Sequence, residues 1–355
     1  MKAHKILALL ALTGMALAGC SDSTTSESTT STPSSTQNAQ AKDAKDSTKE
    51  NHVAYYADYQ LEAATYHIEF GHTHEKFMRI AFVPTEGVTD LMAAGKAALN
   101  TNETTVEQKQ TVTITPNNVY YVKMGHYSGR VDFTVPSAGK WAVFADIAPG
   151  NALPWKLRNA ADEPVAPITE RVLDNSTNDI YDGYFENSQV KDRELSDYAG
   201  NWQSVYPLLQ DGSLDKVMAH KAESGKKTKE EWTAYYETGY RTDIEKIDIA
   251  GNEMSFTKNG QTAKATYAYE RYEILTYQKG NRGVRFLFTK QSGDEAAPKF
   301  VQFSDHNIFP VKASHFHIYM GNTSHEELLK EMDNWPTYYP ASLTKDEIVE
   351  EMMGH

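Results

Sequence analysis

The chain has 355 residues, 40% of them hydrophobic and 23% charged, with a formal charge of -13. That length holds roughly two domains with separate cores, and the acidic balance speaks against nucleic acid as a partner. The one cysteine, Cys20, excludes a disulfide or thiolate metal site downstream, so any metal must rest on nitrogen and oxygen.

In chain order, the N-terminus carries Lys2 and Lys5, then an apolar run, then Leu17-Ala18-Gly19-Cys20. This reads as a secretory signal. The tetrad resembles a bacterial lipobox, in which residues 1–19 are removed and Cys20 becomes the acylated first residue. The expectation is an extracytoplasmic protein, lipid-anchored to a bacterial membrane through Cys20, in the periplasm or at the cell surface. Residues 20–51 are dominated by Ser, Thr, Gln, Lys and Asp, and too few apolar side chains stand there to offset the entropy of ordering. They read as a disordered tether. No later apolar run approaches the roughly 20 residues that a membrane-spanning helix needs.

Residues 52–168 alternate apolar and polar side chains at 111–114, 119–123, 131–135 and 141–145, with Gly, Pro, Asn and Ser between the runs. This predicts a small β-sandwich-like domain, decorated by a helix over 89–99. Pro-rich sequence follows, and residues 169–178 are expected to be a linker.

Residues 179–355 are expected to form the second domain. Gly200-Asn201-Trp202 opens a strand in the way lipocalin-like barrels often do. Helices are predicted over 215–225 and over 228–240, the latter with Thr228 as N-cap and Glu231 as its capping-box partner. Strands follow at 242–249, 253–258, 262–269, 271–279, 283–290, 299–304 and 314–320, several joined by Gly-Asn or Asn-Gly turns. A mainly β fold with a closed antiparallel barrel is the economical reading. Further helices are predicted over 324–334 and 344–353.

The chemistry concentrates between Phe303 and Tyr319, where three of the twelve histidines fall. His315 and His317 share one face of a strand because side chains alternate with period two, and that face is expected to point inward. His306 lies across a Pro-containing connection long enough for the chain to reverse. Three imidazoles at about 2.0–2.1 Å suit Zn²⁺ with a fourth position left open, and other divalent transition metals use the same nitrogens. From spacing alone, a metal site and three ordinary polar residues at a strand end both stand.

The surrounding segments carry a resemblance. Phe303-Ser304-Asp305-His306, Ser314-His315-Phe316-His317, Trp202-Gln203-Ser204-Val205-Tyr206-Pro207 and Asp333-Asn334-Trp335-Pro336-Thr337-Tyr338-Tyr339-Pro340 are similar to blocks of the ZinT family, over about residues 179–355. The resemblance implies a calycin-type barrel with added helices, and Zn²⁺, sometimes Cd²⁺, bound by His306, His315 and His317. It further implies a role in zinc acquisition and homeostasis, with metal passed to the solute-binding protein of a zinc ABC transporter. Unlike some relatives, this chain has no short histidine-rich N-terminal stretch and no cysteine pair in the barrel; it has an additional domain instead.

In the first domain His67, His72 and His74 repeat the pattern, and His126 would join them if the 119–123 strand paired with the segment holding His72. A second metal site and solvated histidines are both open there. His52, His220 and His325 have no neighbours that argue for ligation and read as surface residues. Two other functions compete: a zinc enzyme that activates water at the open position, for which a general base is lacking because sequence places neither Asp305 nor Glu326 beside the metal, and a barrel that holds a small apolar ligand. Inward histidines speak against the second.

Overall fold

Two β assemblies with separate cores make up the described part of the chain. The computed structural model describes residues 52–124, 128–150, 153–174, 177–277, 281–330 and 333–354. The tether, Cys20, His126 and His355 therefore lie outside the described residues. No helix among those described is long and apolar enough to cross a membrane.

Ten strands build the first assembly: β1 (Tyr55–Leu61), β2 (Thr65–Phe70), β3 (Phe77–Pro84), β4 (Thr104–Val106), β5 (Thr111–Thr113), β6 (Val119–Lys123), β7 (Gly129–Thr134), β8 (Gly139–Ala145), β9 (Trp155–Arg158) and β10 (Thr169–Val172). A six-stranded sheet runs β10-β1-β8-β3-β6-β4 and a four-stranded sheet β5-β7-β2-β9. Their inner faces meet in one core, where Phe82 and Tyr120 lie against Phe133 with ring centroids at 5.1 and 6.4 Å from Phe82 to Phe133 and Tyr120 respectively. The other face of the larger sheet, with Tyr56, Ala81 and Phe144, is covered by Ala98 and Leu99 of helix α1 (Leu91–Leu99). A sandwich was expected and is found. The segment read as a linker, 169–178, contains β10, which pairs antiparallel with β1 from Tyr55↔Val172 to Asp58↔Thr169.

The second assembly is a closed barrel of eight strands: β11 (Gly200–Ser204), β12 (Lys246–Ala250), β13 (Glu253–Lys258), β14 (Gln261–Thr276), β15 (Arg282–Gly293), β16 (Phe300–Ser304), β17 (Phe316–Gly321) and β18 (Thr337–Pro340). Pairing of β18 with β11 closes it, so no edge is left along the described wall. Two strands expected at 262–269 and 271–279 are one, β14. It continues through Glu270 because an irregularity between Tyr269 and Arg271 absorbs the change of phase without a turn. The interior is filled by aromatic side chains, with Tyr198 stacked on Phe303 at 4.2 Å and Trp202 against Phe316 at 4.6 Å. That packing counts against a barrel built around a small apolar ligand.

Helix α2 (Thr177–Tyr181) leads into the barrel, and α3 (Tyr206–Gln210), α4 (Asp215–Ala222), α5 (Lys229–Tyr240), α6 (His325–Leu329) and α7 (Lys345–Met353) surround it. Thr228 and Glu231 form the expected capping box on α5, and Thr344 and Glu347 form another on α7. Residues of α3, α4, α5 and α7 join Tyr339 of β18 in a core of their own against the outer wall.

The two assemblies are clamped together. Arg282 of β15, only 8% exposed, donates from Nη1 to Asn187 Oδ1 at 2.6 Å and lies over the Phe185 ring at 4.3 Å. Asp90, which caps α1 through Ala93 N, also accepts from Asn187 N at 2.6 Å. Gly183 makes this approach feasible: its φ is +93°, and a Cβ there would stand 2.4 Å from the Arg282 carbonyl oxygen. Gly183→Ala is expected to cost at least about 1–3 kcal/mol from backbone strain alone. A lowered urea midpoint would register it, and an unchanged midpoint would show that the close approach is not required.

Candidate metal centre

The three histidines converge on the outer face of the barrel wall. Phe316 and Ile318 of β17 belong to the barrel core, so period two turns His315 and His317 outward. The inward orientation expected from sequence is thus reversed, since the apolar partners of the alternation claim the interior. Strand β16 ends at Ser304, which pairs with His317, and two residues later His306 adopts φ +64°, turning its ring back toward β17.

His306 Nε2 and His317 Nε2 stand 3.3 Å apart. Two nitrogens bound to one tetrahedral zinc at about 2.0–2.1 Å would be separated by about 3.3–3.4 Å. His315 completes a group whose nitrogens all lie within 4.8 Å of one another. Its ring stacks on Tyr339 at 5.1 Å, and its Nδ1 is 3.8 Å from Glu351 Oε1 of α7. The His306 ring stacks on Tyr181 of α2 at 4.2 Å.

Thr337 fixes the tautomer of His317. Its hydroxyl donates to the Trp335 carbonyl at 3.0 Å, so its oxygen is left to accept from His317 Nδ1–H at 2.7 Å. The Nε2 lone pair is then free to face His306. Burial first, then the neighbouring His306, His315 and Arg285, hold the His317 pKa well below its ordinary value, so this imidazole is neutral without a metal to displace its proton.

The connection between β16 and β17 is held by a guanidinium packed on the Tyr198 and Phe286 rings of the barrel core. Arg193, fully buried, donates from Nη1 to Asp305 Oδ1 at 2.5 Å and from Nη2 to the Val311 carbonyl at 2.6 Å. Asn307 Nδ2 donates to the other Asp305 oxygen at 3.1 Å. This one guanidinium thus ties the start of the loop that presents His306 to its middle. Sequence reading missed Arg193, because a single charge far away along the chain leaves no local pattern. Asp305, considered as a base, is occupied by this pair, and Glu326 lies near Arg271 at 3.5 Å.

The histidines of the first domain behave differently. His67 is buried in β2 with Nε2 2.9 Å from Asp162 Oδ1, while the His72 and His74 rings meet edge to face at 5.2 Å. Strand β6 pairs with β3 and β4, and just beyond it Met124 N donates to the Lys76 carbonyl at 2.8 Å, while His126 lies outside the described residues. Among the described residues, His306, His315 and His317 are the one group of three or more potential ligands arranged around a point. His325, expected at the surface, is buried, with Nε2 3.0 Å from Thr289 Oγ1 and Nδ1 3.1 Å from Gln302 Nε2.

The C-terminal part of the chain matches a known family of proteins. Residues 176–355 match the family model described as ZinT (YodA) periplasmic lipocalin-like zinc-recruitment. Over 200 residues the chain is 54% identical to the zinc-binding lipoprotein AdcA of Streptococcus pneumoniae (strain ATCC BAA-255 / R6), covering 56% of this chain and 40% of that one. It is 53% identical over 183 residues to the probable metal-binding protein YrpE of Bacillus subtilis (strain 168), covering 51% of this chain and 72% of that one. Among solved structures, the Zn(II)-bound ZinT-like domain of Streptococcus pneumoniae AdcA is 59% identical, covers 49% of this chain and 97% of that one, and has a TM-score of 0.48. The chain therefore spans well under half the length of its streptococcal relative.

Two substitutions test the support around the histidines. Arg193→Met should destabilise the fold by about 3–5 kcal/mol, because it leaves Asp305 buried without its partner; a stability within error of the parent would refute that account. Thr337→Val should weaken zinc binding about 10–100-fold, the usual cost of losing a partner to a ligating imidazole, whereas Thr337→Ser should retain it. Equal affinities for Val and Ser would show that the hydroxyl does not orient His317.

Proposed function

Because the chain belongs to the ZinT family through residues 176–355, we propose that it is an extracytoplasmic zinc-binding lipoprotein of zinc acquisition. His306, His315 and His317 capture Zn(II), with Cd(II) as an alternative ion, and the metal is passed to the solute-binding protein of a zinc uptake transporter. Acylated Cys20 holds the protein at the membrane, and residues 20–51 are the tether.

The observation that carries this reading is the 3.3 Å separation of His306 Nε2 and His317 Nε2, with one of the two imidazoles already neutral and oriented. A pair of lone pairs brought this close in the absence of an ion is costly unless an ion or a shared proton bridges them, and zinc suits the spacing. The names of the relatives support the identity of the ion, since AdcA of Streptococcus pneumoniae is a zinc-binding lipoprotein. Neutral nitrogen ligands with one position open also serve transfer, because an incoming ligand can enter before the last one leaves.

Titration calorimetry on protein starting at Ser21 decides the central point. One zinc ion per chain at neutral pH, lost in the His306→Ala, His315→Ala and His317→Ala triple variant, is the expected result. Undiminished binding by the variant would overturn the assignment, and a second ion that survives in it would move attention to His72 and His74.

A further inference from the structure

Helix α5 ends at Tyr240, and the last turn of a helix leaves carbonyl groups without partners along the chain. Here they are taken up by residues more than ninety positions away. Asn334 Nδ2 donates to the Arg241 carbonyl at 2.9 Å, the Thr238 carbonyl at 3.0 Å and the Gly239 carbonyl at 3.2 Å. Three acceptors around one atom admit only the NH2 side of the amide, so chemistry fixes the orientation of this side chain. Trp335 N donates to the same Gly239 carbonyl at 2.6 Å. Its indole lies against the helix itself: a Cβ at Gly239 would stand 2.4 Å from Trp335 Cζ2, which accounts for a glycine in a helix interior, where it is otherwise unfavourable.

The residues that follow carry this anchor to the histidines. Pro336 comes next and restricts Trp335 to extended backbone, so the direction of the Trp335 carbonyl is set once its N–H is held. That carbonyl accepts from the Thr337 hydroxyl at 3.0 Å, and the Thr337 oxygen stands 2.7 Å from His317 Nδ1. The Pro336 carbonyl accepts from Ile318 N at 2.9 Å, which holds the same run against β17 beside His317. We infer that Asn334 is a positioning residue of the metal centre. It fixes the end of α5 against Trp335, whose carbonyl turns the Thr337 hydroxyl and so decides which nitrogen His317 offers to an ion. This inference rests on the metal centre proposed above. The competing role for Asn334 is to cap α5 and nothing more, in which case its loss lowers stability and leaves metal affinity alone.

The test is a double-mutant cycle between Asn334→Ala and Thr337→Val, read as zinc affinity by competition with a chromogenic chelator at neutral pH. Asn334→Ala alone should weaken binding about tenfold, the lower end of what loss of an outer partner of a ligating imidazole costs. In the Thr337→Val background the same substitution should change affinity by less than about twofold, because the connection is already broken. Fully additive losses, or an Asn334→Ala protein that binds zinc as tightly as the parent, would overturn the inference. Asn334→Ser, which keeps one donor, takes the place of alanine in the cycle if the alanine variant is unfolded. The metal-free protein gives an independent reading through the nitrogen spectrum of its histidine rings, with His317 identified from a His317→Gln variant. The parent should show His317 protonated at Nδ1 alone, and Asn334→Ala a mixture of both tautomers; one unchanged form in the two proteins would also overturn the inference. A parent that binds no zinc at the three histidines yet shows this tautomer shift would strike the metal centre and leave the role of Asn334 toward His317 supported.

Discussion

The presentation of His306 depends on the buried pair between Arg193 and Asp305. Arg193 reaches the barrel from the segment that precedes its first strand and meets the residue next to His306, as well as the Val311 carbonyl in the middle of the same loop. Removing two charges from water is costly, and only good geometry with the remaining donors satisfied recovers that cost. Asp197 and Val311 supply those partners to Arg193, and Asn307 supplies one to Asp305. The result is a loop with little freedom at the point where a left-handed residue must hold an imidazole against β17.

The same segment serves two purposes. Tyr181 stacks on His306, and three residues later Tyr184 packs against Tyr56 of the sandwich, with ring centroids 5.6 Å apart. Gly183 lies between them, against the backbone of Arg282. The stretch between the assemblies is therefore structural on both sides. Its Pro-rich approach and short elements gave it the look of a spacer, because edge pairing such as that of β10 with β1 is set by tertiary partners rather than by composition.

Much of the barrel was legible because its strands alternate and its turns carry Gly and Asn in the expected places, as at β13 and the capped helices α5 and α7. Among the strands that escaped notice, β1 and β3 lie inside the larger sheet and are buried on both faces, so Tyr55–Leu61 and Phe77–Pro84 show near-continuous burial in place of a period-two pattern. The histidine trio was singled out from spacing together with family resemblance, and the structure brings the three side chains together, but their face was not read correctly. The sequence did hold the signal: Phe316 and Ile318 alternate with the two histidines, and two large apolar side chains outweigh two imidazoles in choosing the interior. Arg193 and Thr337 had no such signal, since each acts through a contact with a residue distant in the chain.

The placement of the trio outside the barrel bears on how quickly cargo can be surrendered. A ligand enclosed by a packed β-barrel leaves only when strands part, which draws on the free energy of the whole closed sheet. Here the barrel core is complete without the ion, and what overlies the histidines is a set of rings, Tyr181 and Tyr339 among them, at the junction with the helices. If the trio holds the ion as proposed, its release would need only the rotation of a few side chains on a rigid wall, and the residence time of the metal would be decoupled from the stability of the fold.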